Sequence, residues 1–257
     1  MPINKDALAL ANLGNLTALW QAMGANPASG EAAFLAYRNS GWPRRCWFDT
    51  RRNLPTMDQV ADVLAALPTG YIVPVWEGPL AADLRESLVR QGYELSFQQT
   101  AMSLHLLGYP VNDGIAAELD DGQRLQLQRV YAAEPVRTWC EVGGGAFGYD
   151  IDPAVISGAL ATTGLELYAG LIGSEVVATG LLLQTGGIAG IHQVGVSRAF
   201  RGRGIARALM YLLLGRCVES GAEYVTLQAS VEGEPLYRSM NFEAQFNISN
   251  YVRGVRV

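Results

Sequence analysis

The stretch Gly190-Ile-His192-Gln-Val194-Gly-Val196-Ser-Arg-Ala-Phe-Arg201-Gly202-Arg203-Gly204-Ile205-Ala206 runs from an apolar strand through a Gly/Arg turn into an apolar helix that continues to Val218. A glycine-rich turn at the start of a helix aims unpaired backbone N–H groups at one point, with the positive end of the helix dipole behind them. Such a turn holds a phosphate or pyrophosphate without needing basic side chains, and its glycines let the backbone come close. The pattern Arg/Gln-x-x-Gly-x-Gly/Ala, met here by Arg201, Gly204 and Ala206, is short enough to recur by chance. Gln184-Thr-Gly-Gly187-Ile-Ala189 also satisfies it, but falls inside a predicted hairpin and opens no helix, so strand pairing would consume its amides. Other phosphate binders fit less well. There is no Gly-x4-Gly-Lys-Ser/Thr, and Lys5 is the only lysine in the chain. A dinucleotide fold would want Gly-x-Gly-x-x-Gly, whereas the turn gives Gly202-x-Gly204-x-x-Arg207, with Glu223 preceding the next strand instead of ending it.

Outward from this stretch, the C-terminal part reads as β–αα–βββ–α–β–α–β. Arg124–Val130 alternates as a strand, and residues 133–163 read as helix, glycine-rich turn (Gly143 to Gly145) and helix. Leu165–Leu171 and Val176–Leu183 flank a turn at Ile172–Glu175, and Gly186-Gly187 leads into Ile188–Val196. Tyr224–Ala229 is a strand, Leu236–Met240 a short helix, and Phe242–Val252 a last strand. The N-terminal third reads mainly helical, with Leu8, Leu13, Leu16, Leu19 and Trp20 at helical spacing and the pattern continued over Ala32–Tyr37 and Met57–Leu67. Tyr71–Trp76 is then a strand whose Pro74 marks an edge or a strand end. Leu84–Val89 is a helix stopped at Gly92, and Tyr93–Leu107 a strand. Leu107–Gly114 is the candidate linker. The division is 1–120 and 121–257.

Composition narrows the function classes. Of 257 residues 49% are hydrophobic and only 17% charged, enough to bury a sizeable core and too apolar for disorder. A net charge of −5 argues against a nucleic-acid partner. No apolar run is long enough for a membrane span and the start has no signal-peptide pattern, so the expected location is cytoplasmic. Cys46, Cys140 and Cys217 are scattered, and His105 and His192 are the only histidines, so no metal site is expected. The fold class is therefore α/β (α+β), a mixed central sheet flanked by helices, with an additional N-terminal α/β region.

From about residue 122 to the end, this order and the Arg201–Ala206 loop resemble the GNAT family of acyl-CoA-dependent N-acyltransferases. The distal stretch Ser230-Val-Glu-Gly-Glu-Pro-Leu-Tyr237-Arg-Ser-Met-Asn241-Phe242 is similar to the family's closing pattern, with Asn241 where the family usually has Gly. Asn tolerates positive φ better than most residues. Residues 71–107 loosely resemble the distal half of such a domain, which implies a tandem arrangement whose N-terminal half is degenerate and binds no cofactor.

The resemblance implies acetyl-CoA or another acyl-CoA as co-substrate, and direct attack of a small-molecule or peptide primary amine on its thioester. The protein would be a monomer or homodimer. Gly202, Arg203, Gly204, Ile205 and Ala206 would take the pyrophosphate, with Arg201 and Arg203 adding charge. The main chain of Val194, Gly195 and Val196 would orient the pantetheine arm. Tyr237 suits the general acid, since a phenol near pKa 10 can protonate a departing thiolate near 8.5. His192 stands where the family often keeps a carboxylate base; Glu141 or solvent could serve instead. Ser230 would touch the cofactor or hold Tyr237. Trp139, Phe147 and Tyr149, with Glu141 near them, and Tyr251 on the last strand are the substrate-side candidates. The alternative is a catalytically inactive acyl-CoA-binding regulatory or scaffold protein.

Overall fold

The computed structural model describes residues 3–28, 35–50, 54–109 and 115–254. In chain order the elements are α1 (Lys5–Ala22), β1 (Ala25–Pro27), β2 (Leu35–Asn39), β3 (Cys46–Asp49), α2 (Met57–Ala65), β4 (Ile72–Trp76), α3 (Ala81–Arg90), β5 (Glu94–His105), β6 (Ala116–Glu118) and β7 (Arg124–Val130). There follow α4 (Ala133–Phe147), α5 (Pro153–Ala159), β8 (Leu165–Ile172), β9 (Glu175–Thr185), β10 (Ile188–Val196), a 3-10 turn at Arg198–Phe200, α6 (Ile205–Glu219), β11 (Tyr224–Ser230), α7 (Glu234–Ser239) and β12 (Glu243–Val252).

Nine strands form one sheet in the order β4-β12-β5-β11-β10-β9-β8-β7-β6. Only β10 and β11 pair in parallel; the others are antiparallel. One face of the sheet carries α6, which is apolar nearly all round because Ile205, Leu209, Met210, Leu212, Leu213 and Leu214 are all buried. The helix lies close to the sheet: a Cβ on Gly180 would stand 2.7 Å from Leu213 Cδ1. The opposite face carries α1, α4 and α5, packed on Leu165, Leu167, Leu181 and Leu183. Because side chains alternate across a strand, each position in the centre of the sheet is committed to one of these two layers. Cys46, Cys140 and Cys217 are buried apart and unpaired, and burial pushes their thiols up to about 12, 11 and 12.

The N-terminal and C-terminal parts share this sheet by interleaving. The unit β4–α3–β5 leaves a gap that β12 fills, and the unit β11–α7–β12 leaves a gap that β5 fills. Two similar strand–helix–strand units, residues 72–105 and 224–252, thus complete each other. Pro74 lies on the edge strand, where its missing N–H costs no ladder bond.

Three readings of the sequence need correction. Helix was expected over Ala32–Tyr37; the described part, from Leu35, is β2, paired with β3 so that Tyr37 stacks on Trp47 at 5.3 Å. The remainder of that reading, residues 32–34, lies outside the described residues, as do 110–114 of the candidate linker. Gly143 to Gly145 are not a turn but the last part of α4, which ends at Gly148 with φ +82°. Their small size lets the following segment fold back, since a Cβ on Gly144 would stand 2.8 Å from Tyr149 O. The structure also holds strands β1, β3 and β6, which the sequence did not suggest; each is only 3 or 4 residues long.

Candidate active site

The parallel pairing of β10 with β11 is confined to Ile188↔Tyr224, Ala189↔Val225 and Gly190↔Thr226. Beyond it the two strands part, and β10 continues to Val196 held only by β9. Its ladder with β9 shifts register between His192 and Gly195, where Gln193 adopts φ +52° and Thr179 Oγ1 donates to Gln193 O at 2.9 Å. A bulge of this kind bends the strand and strengthens its twist. It leaves the main chain of Val194 to Val196 facing an opening instead of a neighbouring strand.

Below the opening lies the Gly/Arg turn. Gly202 and Gly204 have φ +78° and +75°, and Gly204 is the N-cap of α6 with no side-chain cap. The first helical bond is from Ala208 N to Gly204 O, so the amides of Ile205, Ala206 and Arg207 point out of the helix unpaired. Val196, Phe200, the turn and Leu236 line a cleft of about 220 Å³. The amides of Ile205 to Arg207 and the cleft thus lie at one place, the start of α6.

The arginines of the turn are otherwise engaged. Arg201 donates from Nη2 to Ala146 O at 2.6 Å and from Nε to Val196 O at 3.3 Å, tying α4 to the end of β10. Arg203 pairs with Asp121 at 2.5 Å, donates to Gln123 and lies 5.3 Å from the Phe200 ring. A Cβ on Gly204 would stand 3.2 Å from Asp120 Oδ2. The arginine side chains brace the turn, and its unpaired donors are the main-chain amides.

Tyr237 projects from α7 with its ring edge-on to Phe242, centroids 5.8 Å apart. Burial pushes its phenol up to about 12, and its hydroxyl has no hydrogen-bond partner among the described residues. Asn241 closes the helix with φ +66°, the conformation the family's glycine would take. Ser230 Oγ accepts from Gly233 N at 3.1 Å and so caps the turn into α7.

His192 is buried under α1, away from the opening. Its Nε2 lies 2.9 Å from Asn15 Oδ1, while Asn15 Nδ2 donates to Leu183 O and Thr185 Oγ1. Those two donations fix the amide orientation, so Nε2 carries the proton. Desolvation, only partly opposed by a hydrogen bond with Gln228, lowers the imidazole to about 4. A neutral imidazole so weakly basic, already donating to an asparagine, is a structural link between α1 and the sheet and a poor acceptor for an ammonium proton. A Cβ on Gly190 would collide with both Asn15 Oδ1 and His192 Nε2, so this junction requires glycine.

The substrate-side candidates divide. Phe147 and Tyr149 stack at 5.5 Å beside the bulge, and a Cβ on Gly195 would stand 3.1 Å from Phe147 Cζ. Trp139 is fully buried and donates from Nε1 to Tyr168 O at 2.9 Å, so it belongs to the core under α4. Glu141 is exposed on α4. Tyr251 packs with Val73, Leu84 and Tyr93 in the N-terminal core. Its neighbour Asn250 is buried and accepts from Arg45 Nη1 at 2.8 Å. The sequence reading missed Arg45, Gln193 and Asn250. Strand alternation could have found Asn250; a loop arginine carries no such signal.

A mixed sheet whose one parallel pair parts above a glycine turn at a helix N-terminus defines the class, an acetyltransferase fold. Residues 143–242 match the model of the acetyltransferase (GNAT) family. No curated protein matches the chain in sequence. Among solved structures, a GCN5-related N-acetyltransferase from Kribbella flavida superposes with a TM-score of 0.68 at 14% identity, covering 96% of this chain and 95% of that one. One from Sphaerobacter thermophilus gives 0.60 at 18%, covering 89% and 80%. A GCN5-related N-acetyltransferase-like protein from Streptococcus suis gives 0.59 at 15%, covering 92% of each. At these identities the likeness is one of fold, and it spans the N-terminal region as well.

Proposed function

We propose that the protein is an acyl-CoA-dependent N-acyltransferase that moves an acetyl or other short acyl group to a primary amine within a ternary complex. The observation that carries this reading is the cleft where β10 and β11 part, with the free amides of the Gly202–Ala206 turn on one side and α7 with Tyr237 on the other. Those amides would hold the pyrophosphate, and the main chain of Val194 to Val196, along the side of β10 that β11 leaves free, would align the pantetheine arm. The amine, having lost its proton to water, attacks the thioester carbonyl carbon; a C–N bond forms and the C–S bond breaks. As the C–S bond breaks the nitrogen gives its second proton to water, the leaving thiolate takes the Tyr237 hydroxyl proton, and solvent returns a proton to the tyrosine. His192 holds the strand in place and takes no part in the proton transfer.

The test is amine-dependent release of free thiol from acetyl-CoA across a panel of primary amines. Saturable release with at least one amine, with the N-acetyl product found by mass spectrometry, is the expected result. The sequestration of His192 favours one second reading, an acyl-CoA-binding protein without turnover. That reading predicts tight acetyl-CoA binding and no amine in the panel acetylated.

A further inference from the structure

Beside the bulge, on the α1 face of the sheet, the Arg45 guanidinium sits 5.5 Å from the Trp20 ring and 5.6 Å from the Phe97 ring. Its Nη1 donates to Asn250 Oδ1 at 2.8 Å, and its Nε is buried without any acceptor. No carboxylate pairs with Arg45 among the described residues. Buried arginines are ordinarily paired, because a cation taken out of water without a counter-charge is destabilising. Desolvation lowers this one to about 10, which still leaves it charged at neutral pH. Three conditions for a carboxylate site are met: a planar fork fixed at Nη1 by Asn250, aromatic walls that hold it, and an Nε–H with nothing to donate to.

A second orphan stands nearby, with the opposite sense. Gln193 Oε1 is buried and accepts from nothing. It belongs to the bulge itself, the part of β10 that faces the parted strands. Tyr149 links the two: Gln193 and the Arg45 charge both act on its phenol, each favouring the ionised form against burial. The cluster is open on one side, since Arg45 is half-buried and Tyr149 is 39% exposed. A lone donor fork and a lone acceptor, bridged by one tyrosine at the mouth of the transfer site, are complementary to a molecule with a carboxylate at one end and an amino group at the other.

We infer that the acceptor is an amino acid, its carboxylate held by Arg45 and its amino group set by Gln193 Oε1 at the bulge, with the stacked Phe147 and Tyr149 rings beside it. This rests on the acyltransferase reading for the use of the site, but the site itself is a binding claim that can be read without acyl-CoA.

The experiment has two arms. In the first, unfolding temperature is measured without acyl-CoA, with each protein amino acid or its amide at millimolar concentration. The wild type should be raised by at least one free acid and not by its amide, and Arg45→Gln should show no such difference. Asn250→Asp guards against a variant that merely folds poorly. Its new carboxylate supplies the missing partner, so its own unfolding temperature should rise while the response to the free acid disappears. In the second arm, kcat/KM for acetyl transfer is compared between the same acids and amides. A wild-type preference of about 100-fold or more for the acid is expected, as for a site whose polar groups are left unpaired by the wrong ligand, and Arg45→Gln should abolish it. Amides bound and acetylated as well as acids would overturn the inference. So would an acid response that survives in Arg45→Gln or Asn250→Asp, or no response to any acid in the wild type. A thermal response to the acid with no acetyl-CoA binding would instead retain the site and overturn the acyltransferase reading.

Discussion

His192 is buried, Tyr237 half-buried, both are shifted, and the directions separate their roles. Burial raises the phenol to about 12, so Tyr237 stays protonated through any working pH and holds a proton to give. Tyr237→Phe should lower kcat by about 10- to 100-fold with acetyl-CoA affinity nearly unchanged. Wild-type kcat should rise with pH as the amine loses its proton and show no fall before pH 10, where an unshifted tyrosine would begin to ionise. A descending limb near 10 would contradict the assignment. For His192 the folded value, about 4, lies below the ordinary 6.5. The unfolded chain therefore binds the proton first, and the linked stability is fully present above 6.5 and lost as pH falls from there toward 4. The shift corresponds to roughly 3 kcal/mol at most. Urea unfolding of the wild type should weaken across that window, and His192→Gln should flatten the dependence.

At the scale of elements, α1 is tied to the sheet by polar contacts as much as by apolar ones. Asn12 donates to Met102 O, Asn15 to Leu183 O, and Gln228 to Asn12, all across the layer. Gly190 makes room for this junction, so Gly190→Ala should destabilise the protein by about 1–3 kcal/mol through overpacking, read as a lower urea midpoint at unchanged slope. The Arg201–Ala206 turn was legible in the sequence because its context is local: strand before, helix after, glycines between. The hairpins at Gly173 and Gly186 were legible for the same reason. Gly143 to Gly145 misled, because three glycines signal a turn locally while here they serve the fold-back of the Tyr149 segment against α4. Arg45 and Asn250 meet only in the folded protein, from positions 45 and 250 of the chain, and Gln193 is set by the bulge, so no spacing rule marks them.

At the scale of the whole molecule, the division at residue 120 separates two similar units in the chain but cuts through one sheet. Without residues 1–120, β11 and β12 lose β5 from between them, and the site loses α1, Arg45 and Phe97. We propose that 1–120 and 121–257 are halves of one folding unit; the fragment 121–257 alone should give no cooperative thermal transition by circular dichroism, while the full chain gives one. Two exposed ladder edges in the fragment favour aggregation. The resemblance of 71–107 to the distal half of the C-terminal domain was the sequence's one hint of this arrangement. That the two units exchange their last strands was not readable, since strand order depends on long-range pairing.

The central claim is that the Gly202–Ala206 turn holds an acyl-CoA. Isothermal titration of acetyl-CoA into the wild type and into Gly204→Glu tests it most directly, with circular dichroism to show that the variant is folded. Gly204 has φ +75° at the N-cap of α6, so a charged side chain there blocks the cradle and opposes the phosphates. The account predicts micromolar binding by the wild type and loss of at least about 100-fold, or ~3 kcal/mol, in the variant. No binding by the wild type, or equal binding by a folded Gly204→Glu, would contradict it.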